Sequence, residues 1–171
     1  MLLRPFTLED ARCVFALAGV PELSATSLNI PYPYPETLAA EWIAGHPGNA
    51  LKGIHTFALV RREDTALVGS ISLVINARHA RAELGYWIGL PYWNQGYATE
   101  AVRRVIAWGF DEHGLNRIFA QHFSNNPASG RVMQKAGMSY EGMLRHCMQK
   151  EGVYHDTAIY AILKGDPRAP D

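Results

Sequence analysis

Hydrophobic and polar positions change their rhythm once in the middle of the chain. Leu84, Tyr86, Ile88 and Leu90 alternate with Gly85, Trp87 and Gly89, a period of two that predicts a strand over residues 83–90. Pro91 ends it, because proline has no N–H to give to a ladder. From Ala98 the spacing lengthens. Ala98, Ala101, Val102, Val105, Ile106 and Gly109 recur at steps of three and four, the buried stripe of a helix, and Arg103, Arg104, Asp111 and Glu112 are left for water. Gly114 closes that helix.

The rest of the chain reads in order around this pair. Met1 to Phe6 is apolar and predicts a first strand. Thr7-Leu-Glu-Asp10 predicts a helix start, with Thr7 as cap and acidic residues in the first turn, and Ala11, Val14, Phe15 and Ala18 face inward up to Gly19. Pro31-Tyr-Pro-Tyr-Pro35 is too proline-rich for regular structure. A second helix is expected from near Pro35 through Leu38, Ala39, Trp42 and Ile43, then a loop from Gly45 to Gly53. His55 to Val60 and Leu67 to Ile75 predict two strands joined by Arg61-Arg-Glu-Asp64, and Arg117 to Phe123 predicts another. Asn126-Pro-Ala-Ser129 opens a further helix that carries Val132, Met133 and Ala136 and stops at Gly137. Met138 to Met148 and Val153 to Leu163 form a final hairpin. The expectation is one α+β domain over residues 1–164, with no internal repeat, and a flexible tail over 165–171.

Composition narrows the function classes. Of 171 residues 48% are hydrophobic and 19% charged, the profile of a globular protein. A formal net charge of zero argues against nucleic-acid binding through a broad basic face. Cys13 and Cys147 are too few for a disulfide framework, and none of the seven histidines has a partner at metal-binding spacing. No apolar run reaches the roughly 18 residues of a membrane span, and no signal-peptide pattern opens the chain. A soluble cytoplasmic protein without a metal is expected.

The junction between strand and helix is the first place for chemistry. In Trp93-Asn94-Gln95-Gly96-Tyr97-Ala98, Gly96 lets the backbone approach a ligand, and the helix beyond leaves its first N–H groups unpaired. Such donors suit a phosphate. Residues 88–99 contain no Lys or Arg, so an anion bound there would be held by the main chain. An ordinary tight strand-to-helix turn explains the same residues.

Three stretches in order carry a resemblance. They are Gly85-Tyr-Trp-Ile88 with Trp93-Asn-Gln-Gly-Tyr-Ala-Thr-Glu-Ala101; Leu115-Asn-Arg-Ile118 with Asn126-Pro-Ala-Ser129 and Lys135-Ala-Gly137; and Glu141-Gly-Met-Leu-Arg145 with Tyr154-His-Asp156. Together they resemble the GNAT superfamily of acetyl-CoA-dependent N-acyltransferases, in its RimJ/RimL-like branch of ribosomal-protein N-terminal acetyltransferases. The resemblance implies a mixed, mostly antiparallel twisted sheet of about six or seven strands flanked by about four helices. It implies that the strands at 83–90 and 117–123 splay apart. Acetyl-CoA would then lie along Ile88, Gly89 and Leu90, with its pyrophosphate on Gln95, Gly96, Tyr97, Ala98 and Thr99 and its arm against Asn126 and Ser129.

For catalysis the resemblance points to Ser129 as a hydrogen-bond donor to the leaving thiol, and to Glu83 as a base acting through water. Asn126 and Ser129 are also ordinary helix-start residues, and Glu83 an ordinary strand-end carboxylate. Where many relatives carry a tyrosine acid, four residues after Ser129, this chain has Met133; where some carry a base on the fifth strand it has Gln121. His155-Asp156 is a weaker candidate for base or substrate contact. Lacking a strong base, the site leans toward an α-amine, with pKa about 7.8, over a lysine amine, at about 10.4. A peptide or protein N-terminus is the expected acceptor, for a monomer or homodimer. A small amine as acceptor, or a CoA-sensing module without chemistry, are the rivals.

Overall fold

A computed structural model, which describes residues 1–168, shows how these elements assemble. Seven strands form one sheet: β1 (Leu2–Arg4), β2 (Ile54–Val60), β3 (Leu67–Asn76), β4 (Arg81–Ile88), β5 (Arg117–Phe123), β6 (Ser139–Lys150) and β7 (Val153–Leu163). Their order is β1-β2-β3-β4-β5-β7-β6, and every neighbouring pair is antiparallel except β4 and β5. Six α-helices accompany them among the described residues: α1 (Ala11–Ala18), α2 (Pro21–Thr26), α3 (Leu38–Ala44), α4 (His46–Ala50), α5 (Tyr97–His113) and α6 (Pro127–Lys135).

Both faces of the sheet are covered in its β2–β3 region, and the alternation along β2 shows it. Leu59 joins Ile71, Leu73 and Leu84 under Val102, Val105, Ile106 and Phe110 of α5. Ala58 and Val60 turn the other way, to Val14, Ala18, Ala39 and Ile43 of α1 and α3. A strand buried on both faces reads as a continuous apolar run, as Phe57-Ala-Leu-Val60 does. Gly109 lets α5 sit close to the sheet, since a Cβ there would come within 2.8 Å of Ile118 Cδ1.

The structure corrects several local expectations. There are six helices rather than about four, because α2 and α4 are short and read as loop. Pro21 and Pro47 occupy early helix positions, where a missing N–H costs nothing, and α4 packs against β2. The first strand is only Leu2–Arg4, and Leu8–Asp10 is a 3-10 turn ahead of α1. Thr7 stands at the N-cap of that turn as expected, and the Asp10 carboxylate reaches back to it, accepting the Thr7 N–H at 2.9 Å and both Arg4 donors at 2.7 Å. Strand β6 runs on to Lys150 and carries irregularities between Tyr140 and Gly142 and between Leu144 and Met148. At its end the Lys150 ammonium donates to Ser24 O (2.5 Å), Ser24 Oγ, Ser27 O and Ile30 O (2.8 Å each), which ties the last hairpin to the segment entering the proline loop. Of the tail, Asp166 accepts the Leu163 N–H at 2.9 Å and Arg168 pairs with Asp111 at 3.0 Å; residues 169–171 lie outside the described ones.

Two histidines make the fold sensitive to acid. His46 packs edge-on to Trp42 (4.5 Å) and tilted to Phe6 (5.4 Å), and both its ring nitrogens are buried without a hydrogen-bond partner among the described residues. That burial lowers its pKa. His55 is lowered by burial and then by His113, whose ring lies 5.1 Å away. A folded-state pKa below the unfolded value of about 6.5 means the unfolded chain takes up the proton first as pH falls. The stabilisation is complete above about 6.5 and is lost as pH drops below it. Melting temperature should therefore hold between pH 8 and 7 and decline on acidification toward pH 5.5. His46→Phe, which keeps a ring against Trp42, should flatten part of that decline. Identical acid-side slopes in the two proteins would remove His46 from this account.

Candidate active site

Strands β4 and β5 pair for three residues only: Arg81 with Arg117, Ala82 with Ile118, and Glu83 with Phe119. Beyond that fork they part. The gap opens a cleft of about 730 Å³ that runs from the start of α5, past the start of α6, to the face beneath α1 and α3. β3 holds β4 over its whole length, and the Gly89 N–H bonds Val68 O at 2.9 Å. By strand alternation the N–H and C=O groups of Leu84, Tyr86 and Ile88 then turn to the gap, where β5 no longer meets them. One is already used: Ile88 O accepts Trp93 Nε1 at 2.6 Å.

At one end of the cleft the chain turns into α5. Gly96 adopts a φ of +86°, and a Cβ there would meet nothing within 4 Å, so the space before it is open. The first internal bond of the helix runs from the Glu100 N–H to Gly96 O at 3.1 Å. The N–H groups of Tyr97, Ala98 and Thr99 thus have no helical partner. These three and Gly96 line the cleft, whereas Gln95 turns its amide back to Pro91 O at 2.9 Å. Of the fourth-strand residues named from the sequence, Ile88 lines the cleft; Gly89 gives its N–H to β3, and Leu90 begins a 3-10 turn. Cations do approach the turn, from outside residues 88–99. Arg131 and Lys135 of α6 line the same cleft, and Arg103, Arg104 and Lys135 border an adjoining hollow with Gly96 and Thr99. Their spacing on one helix face was legible, but only the fold brings α6 beside the start of α5.

The start of α6 contributes Asn126 and Ser129. Asn126 Oδ1 accepts the Ser129 N–H at 3.3 Å, the capping role, and its amide nitrogen remains for the cleft. Ser129 Oγ lies 2.7 Å from the Tyr86 hydroxyl, which also donates to Ser129 O at 3.2 Å. Burial pushes the Tyr86 phenol up to about 12. Tyr86 was missed as a site residue, although its parity with Leu84 and Ile88 already sent it toward the helix side. Met133 is 1% exposed and belongs to the core.

Across the fork, on the opposite face of the sheet, the cleft has another character. Glu83, Gly85 and Trp87 of β4 stand beside Val74, Ser72 and Ser70 of β3. Thr56, Tyr34, Leu38 and Trp42 complete the wall, and Gln121 accepts the Thr157 hydroxyl at 3.2 Å. Among the described residues lining the cleft, Glu83 is the only carboxylate. Tyr34 lines it and Tyr32 does not. His155 and Asp156 are not brought to it: His155 stacks on Phe123 at 4.5 Å, and Asp156 accepts the His146 N–H at 2.8 Å. Among the described residues no group of three His, Cys, Asp or Glu could hold a metal ion, and no helix is long and apolar enough to cross a membrane.

An open gap between two parted strands, with free amides and cations at one end and a carboxylate at the other, fits an acyl-CoA donor and an amine. Comparison with known proteins agrees. The sequence model of the Acetyltransferase (GNAT) domain matches residues 1–139. The uncharacterized N-acetyltransferase YoaA of Bacillus subtilis is 33% identical, over 96% of this chain and 93% of that protein. The ribosomal-protein-serine acetyltransferase of Escherichia coli is 28% identical over 64% of this chain and 62% of its own. A GNAT-family acetyltransferase from Bacillus anthracis superposes with a TM-score of 0.87 at 26% identity, covering 96% of this chain and 95% of its own. The chain belongs to the GNAT acetyltransferase family and is an acetyl-CoA-dependent N-acetyltransferase.

Proposed function

We propose that the acceptor is the α-amine of a peptide or protein N-terminus. The observation that carries this is the lone carboxylate: Glu83 stands at the fork opposite Phe119, and two residues farther along β5 the cleft is lined by Gln121, which cannot take a proton. One carboxylate can orient one amine and, through a water, take its proton. It is ill suited to a polyamine, whose second ammonium would enter a cleft with no further acid to meet it. It is also a weak device for deprotonating lysine, which lies about 2.6 pKa units above an α-amine, or ~3.5 kcal/mol. The ribosomal-protein-serine acetyltransferase relative supports the same choice.

Each residue then has a task. The N–H groups of residues 96–99, with Arg131 and Lys135 nearby, hold the donor's diphosphate. Bound there, acetyl-CoA supplies the activated acetyl thioester. The unpaired backbone of β4 aligns the arm in the gap and offers N–H groups to the carbonyl that gains charge. Glu83 receives the amine on one face, and Ser129 offers its hydroxyl to the departing sulfur on the other. A thiol with pKa of about 8.5 leaves readily enough for one such donor to matter.

The diphosphate site predicts that Gly96→Ala weakens acetyl-CoA binding about tenfold or more, since a Cβ would project into the open space before the helix and resist the positive φ. Calorimetric titration checks it; a folded variant that binds as well as the parent would move the donor elsewhere.

The acceptor reading predicts that at pH 7 a peptide with a free N-terminus has a higher kcat/KM than the same peptide blocked at its terminus and bearing one lysine. The upper bound is several hundredfold, about 3.5 kcal/mol, lessened by the greater nucleophilicity of the lysine amine. Spermidine should be slower than the free-terminus peptide. Equal rates, or mass spectra with acetyl groups only on lysine, would defeat the α-amine reading; donor binding without turnover of any amine would favour a sensing role.

A further inference from the structure

The Tyr86 hydroxyl has no part in the roles assigned so far. Tyr86 pairs with Ile71 on β3 and shares the face of Leu84 and Ile88, so it points to the helix side of the sheet, away from Glu83. Its ring packs against the main core. Only its oxygen reaches the cleft wall, where it meets two acceptors of a single residue: Ser129 Oγ at 2.7 Å and Ser129 O at 3.2 Å.

A phenol and a serine hydroxyl carry one proton each, so this triangle of three oxygens has two satisfied states. In the first, Tyr86 donates to Ser129 O and Ser129 donates to Tyr86 Oη, and the serine proton is turned away from the cleft. In the second, Tyr86 donates to Ser129 Oγ, and the serine proton is free to point at a ligand. Passing between them needs only the rotation of two hydroxyls. No heavy atom moves and no proton changes owner.

We propose that Tyr86 is the positioning residue that makes Ser129 a donor, by switching its own hydroxyl from Ser129 O to Ser129 Oγ when negative charge builds on the leaving sulfur. The inference rests on Ser129 facing the thiol, as read above. During transfer the N–C bond forms and the C–S bond breaks with its electron pair on sulfur. The amine proton departs on the Glu83 side. Tyr86 and Ser129 both keep their protons and stabilise the thiolate by hydrogen bonding alone. Burial keeps the Tyr86 phenol protonated far above neutrality, so it acts as a donor throughout. The donating chain also strengthens the bond Ser129 offers, since a hydroxyl that accepts a hydrogen bond is a better donor.

Neighbouring groups do not substitute for it. His122 directs Nδ1 to Phe123 O at 2.8 Å, and its Nε2 is buried behind Gly130, where a Cβ would lie 2.8 Å from it. Met133, one turn beyond Ser129, offers no proton. Arg131 and Lys135 line the cleft farther along α6.

The test uses the complex with CoA and no acceptor. The ultraviolet absorbance of the thiolate gives the pKa of the bound thiol in wild type, Tyr86→Phe, Ser129→Ala and the double variant. Tyr86→Phe keeps the ring in the core and removes only the hydroxyl. The bound thiol should titrate lowest in wild type. It should rise by about half a unit or more in Tyr86→Phe, by at least as much in Ser129→Ala, and no further in the double variant. In turnover, Tyr86→Phe should lower kcat about tenfold with KM for acetyl-CoA within about twofold. A wild-type thiol titration in folded, CoA-binding Tyr86→Phe would overturn the proposal, as would independent, additive shifts in the double variant. An unshifted thiol in Ser129→Ala would overturn the role of Ser129 and that of Tyr86 together. A mistaken acceptor class would leave all four titrations as expected.

Discussion

The structure depends on the ladder that β4 and β5 fail to complete as much as on the bonds they make. A parallel pair that stops at Glu83 and Phe119 leaves main-chain N–H and C=O groups facing a gap, and such groups cost about 1–3 kcal/mol each when buried without a partner. They persist because the prongs of the fork are braced from outside. β3 pairs with β4 from Arg81 to Ile88, and β7 pairs with β5 from Arg117 to Phe123. Because the prongs are parallel, both run out at the same edge of the sheet, and each leads into a helix. The starts of α5 and α6, with their positive dipole ends and free N–H groups, therefore converge on one cleft. An edge suited to an anion follows from strand direction before any side chain is considered.

The sheet also divides the labour. Residues of one parity on β4 (Glu83, Gly85, Trp87) look toward α1 and α3, and those of the other (Leu84, Tyr86, Ile88) look toward α5 and α6. An amine and a departing thiol can thus meet chemically different surroundings through one gap, a carboxylate among small polar and aromatic groups on one side and paired hydroxyls on the other.

What the sequence made legible followed from strong, local signals. The change of period at Pro91, the stripe on α5 and the turn at Gly96 survive almost unchanged, because each is dictated by neighbours along the chain. Helices α2 and α4 were hidden, since six and five residues carry too little periodicity and their prolines read as breaks. In the site, Gly96, Asn126, Ser129 and Glu83 were reachable by motif. Tyr86 was not, because its meaning lies in an oxygen 43 residues away in sequence. Arg131 and Lys135 gave no signal of their own, because only the docking of α6 beside α5 brings them to the cleft. Thr7 was legible for the same reason as Gly96, since its partner Asp10 lies three residues along the chain.

The fork has a consequence for the lifetime of the folded chain. Beyond Glu83 the two halves of the sheet share no ladder, so a donor arm bound in the gap would take the place of the strand that is missing between them. A ligand that binds only the native state adds RT ln(1 + [L]/Kd) to stability, about 2.7 kcal/mol at a concentration one hundred times its Kd. A supply of donor would then also be a supply of cohesion across the fork, and the resistance of the folded chain to unfolding is expected to rise with the concentration of acetyl-CoA.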